Sequence, residues 1–497
     1  MQTLLKEREV CQWLKISRTT FWRLKKEGLP TIKIGNSYRY DMNEIANWIE
    51  RSSKNIEAYR IEEEQRRQEY EIEADDKIIN SYRISFEYLR EHNARYLQSI
   101  FSPEQNDKLR SRLEKFNDEN LSNQEIVRIF IREYLNILKD DYQRKTRPSR
   151  FNSRLNDFVN RKNGAIKIVW GDCLDALRQM ESESVQLMVT SPPYYNAREY
   201  AQWSDIDKYL DDMRAIIRES YRVLDNHRVW VWNVGDIFDN DNRITRSVWG
   251  KRRLPLGAYF IKIFEEEGFE FVDDVIWDKG EVESKRHMNG GMDFPFYQYP
   301  LNCYEHILIF HKHRLDTTKI PCPVCGSLKV NGNTQSEIGV QSWECKNEKC
   351  FVRSVNNRGK RFSLRTIMMQ DWFSKEDQID KTTLTKWRRD IVSFPPVIKI
   401  NQNGKNILGH SAPFPKDIPE MAIKYFSYVG ENVLDPFAGS FTAPIVAKSL
   451  NRNGIGIELN KSMHRDSVVK RLASGDPSLF AAQNSQALFE EFDLNPI

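Results

Sequence analysis

The chain has 497 residues, with 75 Lys and Arg against 71 Asp and Glu, for a formal net charge of +4. That length allows two to four domains, and 40% hydrophobic with 29% charged residues supports folded cores. The charge balance is too even to identify a nucleic-acid-binding protein by itself. No apolar run of about 18 residues marks a membrane span, and the first residues, MQTLLKEREVCQWL, hold no apolar signal core. A cytoplasmic location is expected.

Leu5 to Trp13 reads as a first helix. Ser17 is placed to cap a second, from Arg18 to about Glu27, which Gly28 ends. Thr31 to Ile34 and Tyr38 to Tyr40 alternate like two short strands around the turn Gly35-Asn36-Ser37, and Asp41 caps a helix ending near Ile49. This pattern resembles the small winged helix-turn-helix of excisionase and MerR-type proteins, so residues 1–50 are expected to form one. The resemblance implies that the second helix, with Arg18, Thr19, Thr20, Trp22, Arg23, Lys25 and Lys26, lies in a major groove. Lys33 and Arg39 on the wing would touch phosphates. A small helical domain that docks protein is the alternative.

Residues 51–160 read as a charged helical linker or bridge. RIEEEQRRQEYEIEADDKI is polar almost throughout and lacks regular apolar heptads. Ile126 to Leu138 is more amphipathic, with Ile126, Ile129, Phe130, Tyr134, Ile137 and Leu138 on one side, and should pack on something. Lys145, Arg147, Arg150 and Arg154 read as a basic linker able to run along DNA.

From Ala165 onward strands and helices alternate, as in a doubly wound, mostly parallel α/β sheet. Ile166 to Trp170 is a strand ending at Gly171-Asp172-Cys173. Val185 to Val189 is another, followed by Thr190-Ser191-Pro192-Pro193-Tyr194. Further strands are expected at Arg228 to Val234, Phe271 to Trp277 and Glu305 to Phe310. Far downstream, the strand Asn432 to Leu434 leads into Asp435-Pro436-Phe437-Ala438-Gly439-Ser440-Phe441-Thr442, and Glu458 closes the next strand 23 residues beyond Asp435.

These two loops resemble those of the amino-methyltransferases of DNA. Such enzymes use S-adenosylmethionine to methylate the exocyclic amine of cytosine (N4) or adenine (N6). The tetrapeptide precedes the cofactor loop here, an order similar to the circularly permuted, beta-class arrangement. The resemblance covers residues 165–310 and 408–470, including Tyr304 to Phe310 and the segment HSAPFP at 410–415. It implies a Rossmann-like methyltransferase fold with a catalytic half at 165–312, a cofactor-binding half at 408–475 and a C-terminal tail at 476–497.

It also implies roles. An exocyclic amine is a poor nucleophile because its lone pair is delocalised into the ring. Acceptors aimed at its N–H groups draw the nitrogen toward tetrahedral character, and Ser191 Oγ and the Pro192 carbonyl match those the family uses. Pro192 and Pro193 fix the backbone. Tyr194 would stack on a base extruded from the duplex. Asp435, Phe437, Gly439, Thr442 and Glu458 would hold the cofactor, with Glu458 on the ribose hydroxyls and Asp172 toward the adenine. Phe441 stands where the family usually has a second glycine.

The seven cysteines include a cluster, Cys322-x2-Cys325 and Cys345-x4-Cys350. Four thiolates at such spacing suit a closed tetrahedral zinc site. The expectation is a structural zinc ribbon within an insert at 313–407, where the family holds its target-recognition region. The insert carries Lys346, Lys349, Arg353, Arg358, Lys360, Arg361, Arg365, Lys386, Arg388 and Arg389, interleaved with Trp343, Phe351, Trp372 and Trp387.

The expected function is therefore site-specific methylation of double-stranded DNA. N4 of cytosine is favoured over N6 of adenine, because Ser191 is neutral where many adenine-specific relatives place Asp. A separate restriction endonuclease acting at the same site and a homodimer stay open as further partners. A DNA-bound regulator on an inactive methyltransferase fold and methylation of RNA or protein are the competing readings.

Overall fold

The computed structural model describes residues 4–51 (without 15, 17 and 36), 84–116, 121–195, 203–238, 253–280, 303–336, 340–371 (without 357), 377–397 (without 396), 415–473 and 488–494. The charged stretch at 60–78, the Ser17 cap, Trp372 and HSAPF at 410–414 lie outside the described residues. Among the described residues no helix is long and apolar enough to cross a membrane.

The N-terminal module holds helices Glu7–Leu14, Arg18–Lys26 and Met42–Arg51, with strands β1 (Ile32–Ile34) and β2 (Ser37–Arg39) paired antiparallel as a wing. Val10, Leu14, Phe21, Leu24, Leu29, Tyr40 and Ile45 form its core. Asp41 Oδ1 accepts the Asn43 and Glu44 N–H groups at 2.8 and 3.1 Å, which starts the last helix.

The main sheet uses β3 (Ile166–Trp170), β4 (Val185–Thr190) and β5 (Leu224–Val234). A two-stranded ribbon, β6 (Ile237–Phe238) with β7 (Arg253–Leu254), follows β5. Then come β8 (Phe269–Asp278) and β9 (Tyr304–Lys312) of the main sheet. The insert forms its own antiparallel sheet from β10 (Val330–Gln335), β11 (Gln341–Cys345) and β12 (Arg361–Ser363). The chain returns to the main sheet with β13 (Ile391–Ser393), β14 (Asn432–Asp435), β15 (Asn453–Glu458) and β16 (Phe489–Asp493). The nine strands lie in the order β13-β8-β9-β5-β4-β14-β15-β3-β16. Only β9 runs against its neighbours, so the sheet is mixed but largely parallel.

Both faces of this sheet are covered. Helices Cys173–Gln179, Ile206–Val223 and Leu256–Glu266 bury one face around Trp230, Trp232, Phe260, Phe264 and Phe310. The Phe264 and Phe310 rings stack at 3.8 Å. Helices Asp417–Phe426 and Thr442–Ser449 bury the other, against Val189, Val231, Ile307 and Val433. Burial of each such side chain contributes about 1.5–3 kcal/mol.

Two segments differ from the sequence reading. Phe489–Asp493, expected within a tail, is an edge strand parallel to β3. Its Glu490 carboxylate meets the fully buried Lys167 ammonium at 2.7 Å, and Glu491 accepts from the Trp170 indole at 2.9 Å and pairs with Arg465. The described part of the expected bridge is also more than a solvated link. Helices Phe86–Ile100, Pro103–Glu114 and Asn123–Lys145 share one core with the cysteine insert, through Leu89, Leu97, Phe130, Tyr134, Cys322, Leu328, Trp343 and Cys345. The buried Asn93 amide clamps the insert: its Nδ2 donates to the Gly326 carbonyl and its Oδ1 accepts from Leu328 N, both at 2.8 Å. A Cβ on Gly326, whose φ is +65°, would sit 2.7 Å from Leu89. In the basic linker, Lys145 pairs with Asp141, Arg147 with Glu181 and Arg150 with Asp175, all at the surface.

Candidate active site and cofactor cradle

Strands β4 and β14 are neighbours in parallel, with Val433 opposite Leu187 and Leu434 opposite Met188. This register carries Ser191–Tyr194 and Asp435–Thr442, far apart in sequence, to the same carboxyl edge of the sheet. Open parallel sheets bind ligands at that edge. The two loops touch through Thr190, whose Oγ1 donates to Asp435 Oδ1 at 2.6 Å.

The same Asp435 oxygen accepts the Phe437 N–H at 3.0 Å, which bends the chain out of β14. Its other oxygen is buried and has no hydrogen-bond partner. Burial pushes the Asp435 pKa up to about 7; the hydrogen bonds from Thr190 and Phe437 oppose the rise, and the Glu458 charge adds to it. Gly439 adopts φ +47°, and its N–H donates to Glu458 Oε2 at 3.0 Å. Glu458 Oε1 accepts from Asn460 N at 2.9 Å. Each Glu458 oxygen thus spends one lone pair on the backbone and keeps another. Thr442 is buried, with its hydroxyl 3.0 Å from that of Ser440. Phe437 packs edge-on to Trp232 at 6.2 Å.

Phe441 explains the glycine usual at its position. Its φ is +59°, the left-handed region that costs a side chain about 1–3 kcal/mol. The buried ring packs edge-on to Trp170 at 5.7 Å and over Gly456, where a Cβ would lie 2.6 Å from it. The departure is therefore matched by a glycine on the facing strand. Asp172 caps the helix Cys173–Gln179 by accepting from Asp175 N at 3.0 Å, at the tip of β3, on the far side of β15 from Asp435.

In the tetrapeptide, the Pro193 carbonyl accepts from Tyr209 Oη at 3.0 Å, which ties the loop to the helix Ile206–Val223. Tyr194 Oη donates to Glu305 Oε2 at 2.9 Å and accepts from Gly235 N at 3.0 Å. Burial, then the charge of Glu305, raise the Tyr194 pKa well above that of an ordinary phenol. Lys279 Nζ lies 2.9 Å from Glu305 Oε1. Behind this group, His306 sits between Asp274 at 2.8 Å and Asp236 at 3.7 Å. Desolvation lowers its pKa, but the hydrogen bonds to both carboxylates win and bring it to about 9, so it is cationic at neutral pH. Sequence reading passed over Thr190, Glu305 and Lys279 as site residues. The available signal was a carboxylate, Glu305, next to His306 at the start of the strand YEHILIF.

In the insert, the Sγ atoms of Cys322, Cys325, Cys345 and Cys350 all lie within 4.8 Å of one another, and no disulfide links them. Cys325 and Cys345 are 3.8 Å apart. That is the edge of a tetrahedron with metal–sulfur bonds of about 2.3 Å. Asn347 Nδ2 donates to Cys325 Sγ at 3.6 Å, a further interaction with a would-be ligand. The donor set fits a structural metal ion. Trp343 and Trp387, expected on a DNA-reading face, are instead buried in two different cores.

Fold and site together define an S-adenosylmethionine-dependent amino-methyltransferase of DNA, joined to a helix-turn-helix and a cysteine-bearing insert. The family profile of DNA methylases of the N6/N4 class matches residues 185–469, and a helix-turn-helix domain profile matches residues 4–53. The chain belongs to the N6/N4 DNA methylase family. Among its relatives, the Type II beta methyltransferase M.BslI of Bacillus sp. (strain NEB-606) is 36% identical over 333 residues, which is 67% of this chain but only 30% of that protein. The Type II methyltransferase M.MjaI of Methanocaldococcus jannaschii is 26% identical over 60% of this chain and 88% of its own. A solved structure from Thermus thermophilus, described as a DNA modification methylase complexed with S-adenosyl-L-methionine, aligns over 99% of its chain with 67% of this one, at a TM-score of 0.41 and 22% identity.

Proposed function

We propose that this protein methylates the N4 amine of cytosine at a specific site in duplex DNA. The observation that carries the reading is the contact of the two loops at one sheet edge, through Thr190 and Asp435. Ser191 Oγ and the Pro192 carbonyl accept the two N–H groups of an extruded base and free the nitrogen lone pair. Tyr194, its hydroxyl held by Glu305 and Gly235, offers its ring as the stacking platform. Asp435, Phe437, Gly439, Thr442 and Glu458 hold S-adenosylmethionine, with Asp172 beyond Glu458 toward the adenine. The free Asp435 oxygen and the remaining Glu458 lone pairs suit the amino and hydroxyl groups of that ligand. When bound, the cofactor supplies an electrophilic methyl group.

The neutral Ser191 favours cytosine over adenine in this reading. The cysteine cluster holds zinc. The insert and the helix-turn-helix supply contacts to the duplex. The Type II names of the relatives support a paired restriction endonuclease on a separate chain, and a cytoplasmic location accords with DNA as substrate. Digesting duplex DNA treated with the protein to nucleosides, with mass spectrometry, tests the base. N4-methylcytosine is expected; N6-methyladenine as the sole product would refute the cytosine assignment.

A further inference from the structure

Tyr194 is anchored at its far end. Its hydroxyl donates to Glu305 Oε2 at 2.9 Å and receives the Gly235 N–H at 3.0 Å, while Lys279 holds the other Glu305 oxygen at 2.9 Å. Three elements meet there: the tip of β5 (Gly235), the end of β8 (Lys279) and the start of β9 (Glu305). The fit is close, since a Cβ on Gly235 would lie 3.0 Å from Glu305 Cγ. The Glu305 and Lys279 side chains are only 15% and 19% exposed, so their ion pair is shielded from water.

We propose that Glu305 is a positioning residue that acts on methyl transfer through the Tyr194 hydroxyl. This rests on the reading of Ser191–Tyr194 as the tetrapeptide that receives the base. Two physical effects follow from one hydrogen bond. The first is geometric: a phenol held at its tip by a carboxylate and a backbone N–H cannot swing away, so the ring is already in place when a base arrives. The second is electronic. A phenol donating to a carboxylate shares its proton toward that carboxylate and becomes more electron-rich. Positive charge grows on the amine nitrogen as it takes the methyl group, and an electron-rich face beside it stabilises that charge as in a cation–π contact. Because the charge is absent in the ground state, the effect falls on turnover rather than on binding. Lys279 balances the Glu305 charge, keeps the carboxylate aimed, and limits how far the phenol proton moves.

The test is a double-mutant cycle on methyl transfer from S-adenosylmethionine to unmethylated duplex DNA, with the full chain. Glu305→Gln keeps an acceptor for the phenol but removes the charge; Tyr194→Phe keeps the ring and removes the hydroxyl, together with its hydrogen bond to the Ser191 side chain. Each single variant is expected to lower kcat about 10-fold, with KM for the cofactor unchanged. The double variant should be no slower than Tyr194→Phe alone, because Glu305 then has nothing to act through. Calorimetric cofactor affinity at the wild-type value shows that the fold is intact. Should the lone Lys279 charge unfold Glu305→Gln, the Lys279→Met/Glu305→Gln pair removes both charges and carries the same cycle. Wild-type kcat in Glu305→Gln, or single effects that multiply in the double variant, would overturn the proposal while leaving the methyltransferase reading in place. Wild-type protein that transfers no methyl group to DNA would overturn that reading and the proposal with it.

Discussion

Asp435→Asn should change the pH dependence of stability by an amount that follows from the site. The Asp435 carboxyl is buried, one of its oxygens has no partner, and its folded pKa is raised to about 7. An unfolded aspartate titrates near 3.9. For an acid with a raised folded pKa, the native state binds more protons than the unfolded state between the two values. Stability from this group is therefore intact below about pH 4 and falls as pH rises toward 7, where the buried charge is at last tolerated. Between pH 5 and pH 8 the loss is about 3 kcal/mol, from roughly two pH units of unequal protonation at 1.36 kcal/mol each. Asparagine keeps the acceptor for Thr190 and Phe437 and has no charge to lose, so its stability lacks this fall. Urea unfolding of both proteins, followed in the transition that S-adenosylmethionine protects, measures the difference at each pH. The variant should gain about 3 kcal/mol on wild type between pH 5 and pH 8 while losing cofactor affinity. Parallel profiles would show that Asp435 is not a buried acid with a raised pKa.

Other outcomes follow from the same geometry. Glu458→Ala removes the carboxylate that holds Gly439 N and Asn460 N, and calorimetry should show cofactor binding weakened at least 10-fold, about 1.4 kcal/mol; unchanged affinity would place the ribose elsewhere. Elemental analysis should find about one zinc per chain, and Cys345→Ser should lose it together with the thermal stability of the module formed with helices Phe86–Ile100 and Asn123–Lys145. Metal-free protein from zinc-replete growth would sink that assignment. Deleting residues 1–50 should weaken DNA binding or alter site choice and leave cofactor affinity as it was, measured by mobility shift and calorimetry. Wild-type DNA affinity and site choice after the deletion would mean that the module recruits protein instead.

What the sequence made legible was local. Short apolar runs ending in a proline-rich tetrapeptide, or in Asp-Pro-Phe, mark strand ends with loops attached, and parallel pairing brings such ends together. The cysteine spacing carried the thiol cluster in the same way, and the alternation around Gly35 carried the wing. The rest depends on partners far away in sequence. FEEFD has too many acids to read as a strand until Lys167 and Arg465 are seen to neutralise Glu490 and Glu491. Ile126 to Leu138 showed an apolar side that had to pack, as it does, but not that its partner is the cysteine insert, and nothing near Asn93 announces that it will clamp Gly326, 233 residues on. Trp343 and Trp387 read as surface aromatics among basic residues, yet each supplies apolar volume to a core. Glu305 was visible only as a charge beside His306 at the start of a strand, because its meaning lies in Tyr194, 111 residues earlier.

The proposed reaction has the edge formed by Ser191–Tyr194 and Asp435–Thr442 move a methyl group onto DNA. Incubating the protein with tritiated S-adenosylmethionine and, separately, duplex DNA, RNA and protein tests it most directly. Label should enter duplex DNA alone, and Ser191→Ala should lower the rate about 100-fold, because the lost acceptor acts on the amine as charge develops there, with cofactor affinity unchanged. Label in RNA or protein instead, or none in any duplex by a protein that binds the cofactor, would contradict it.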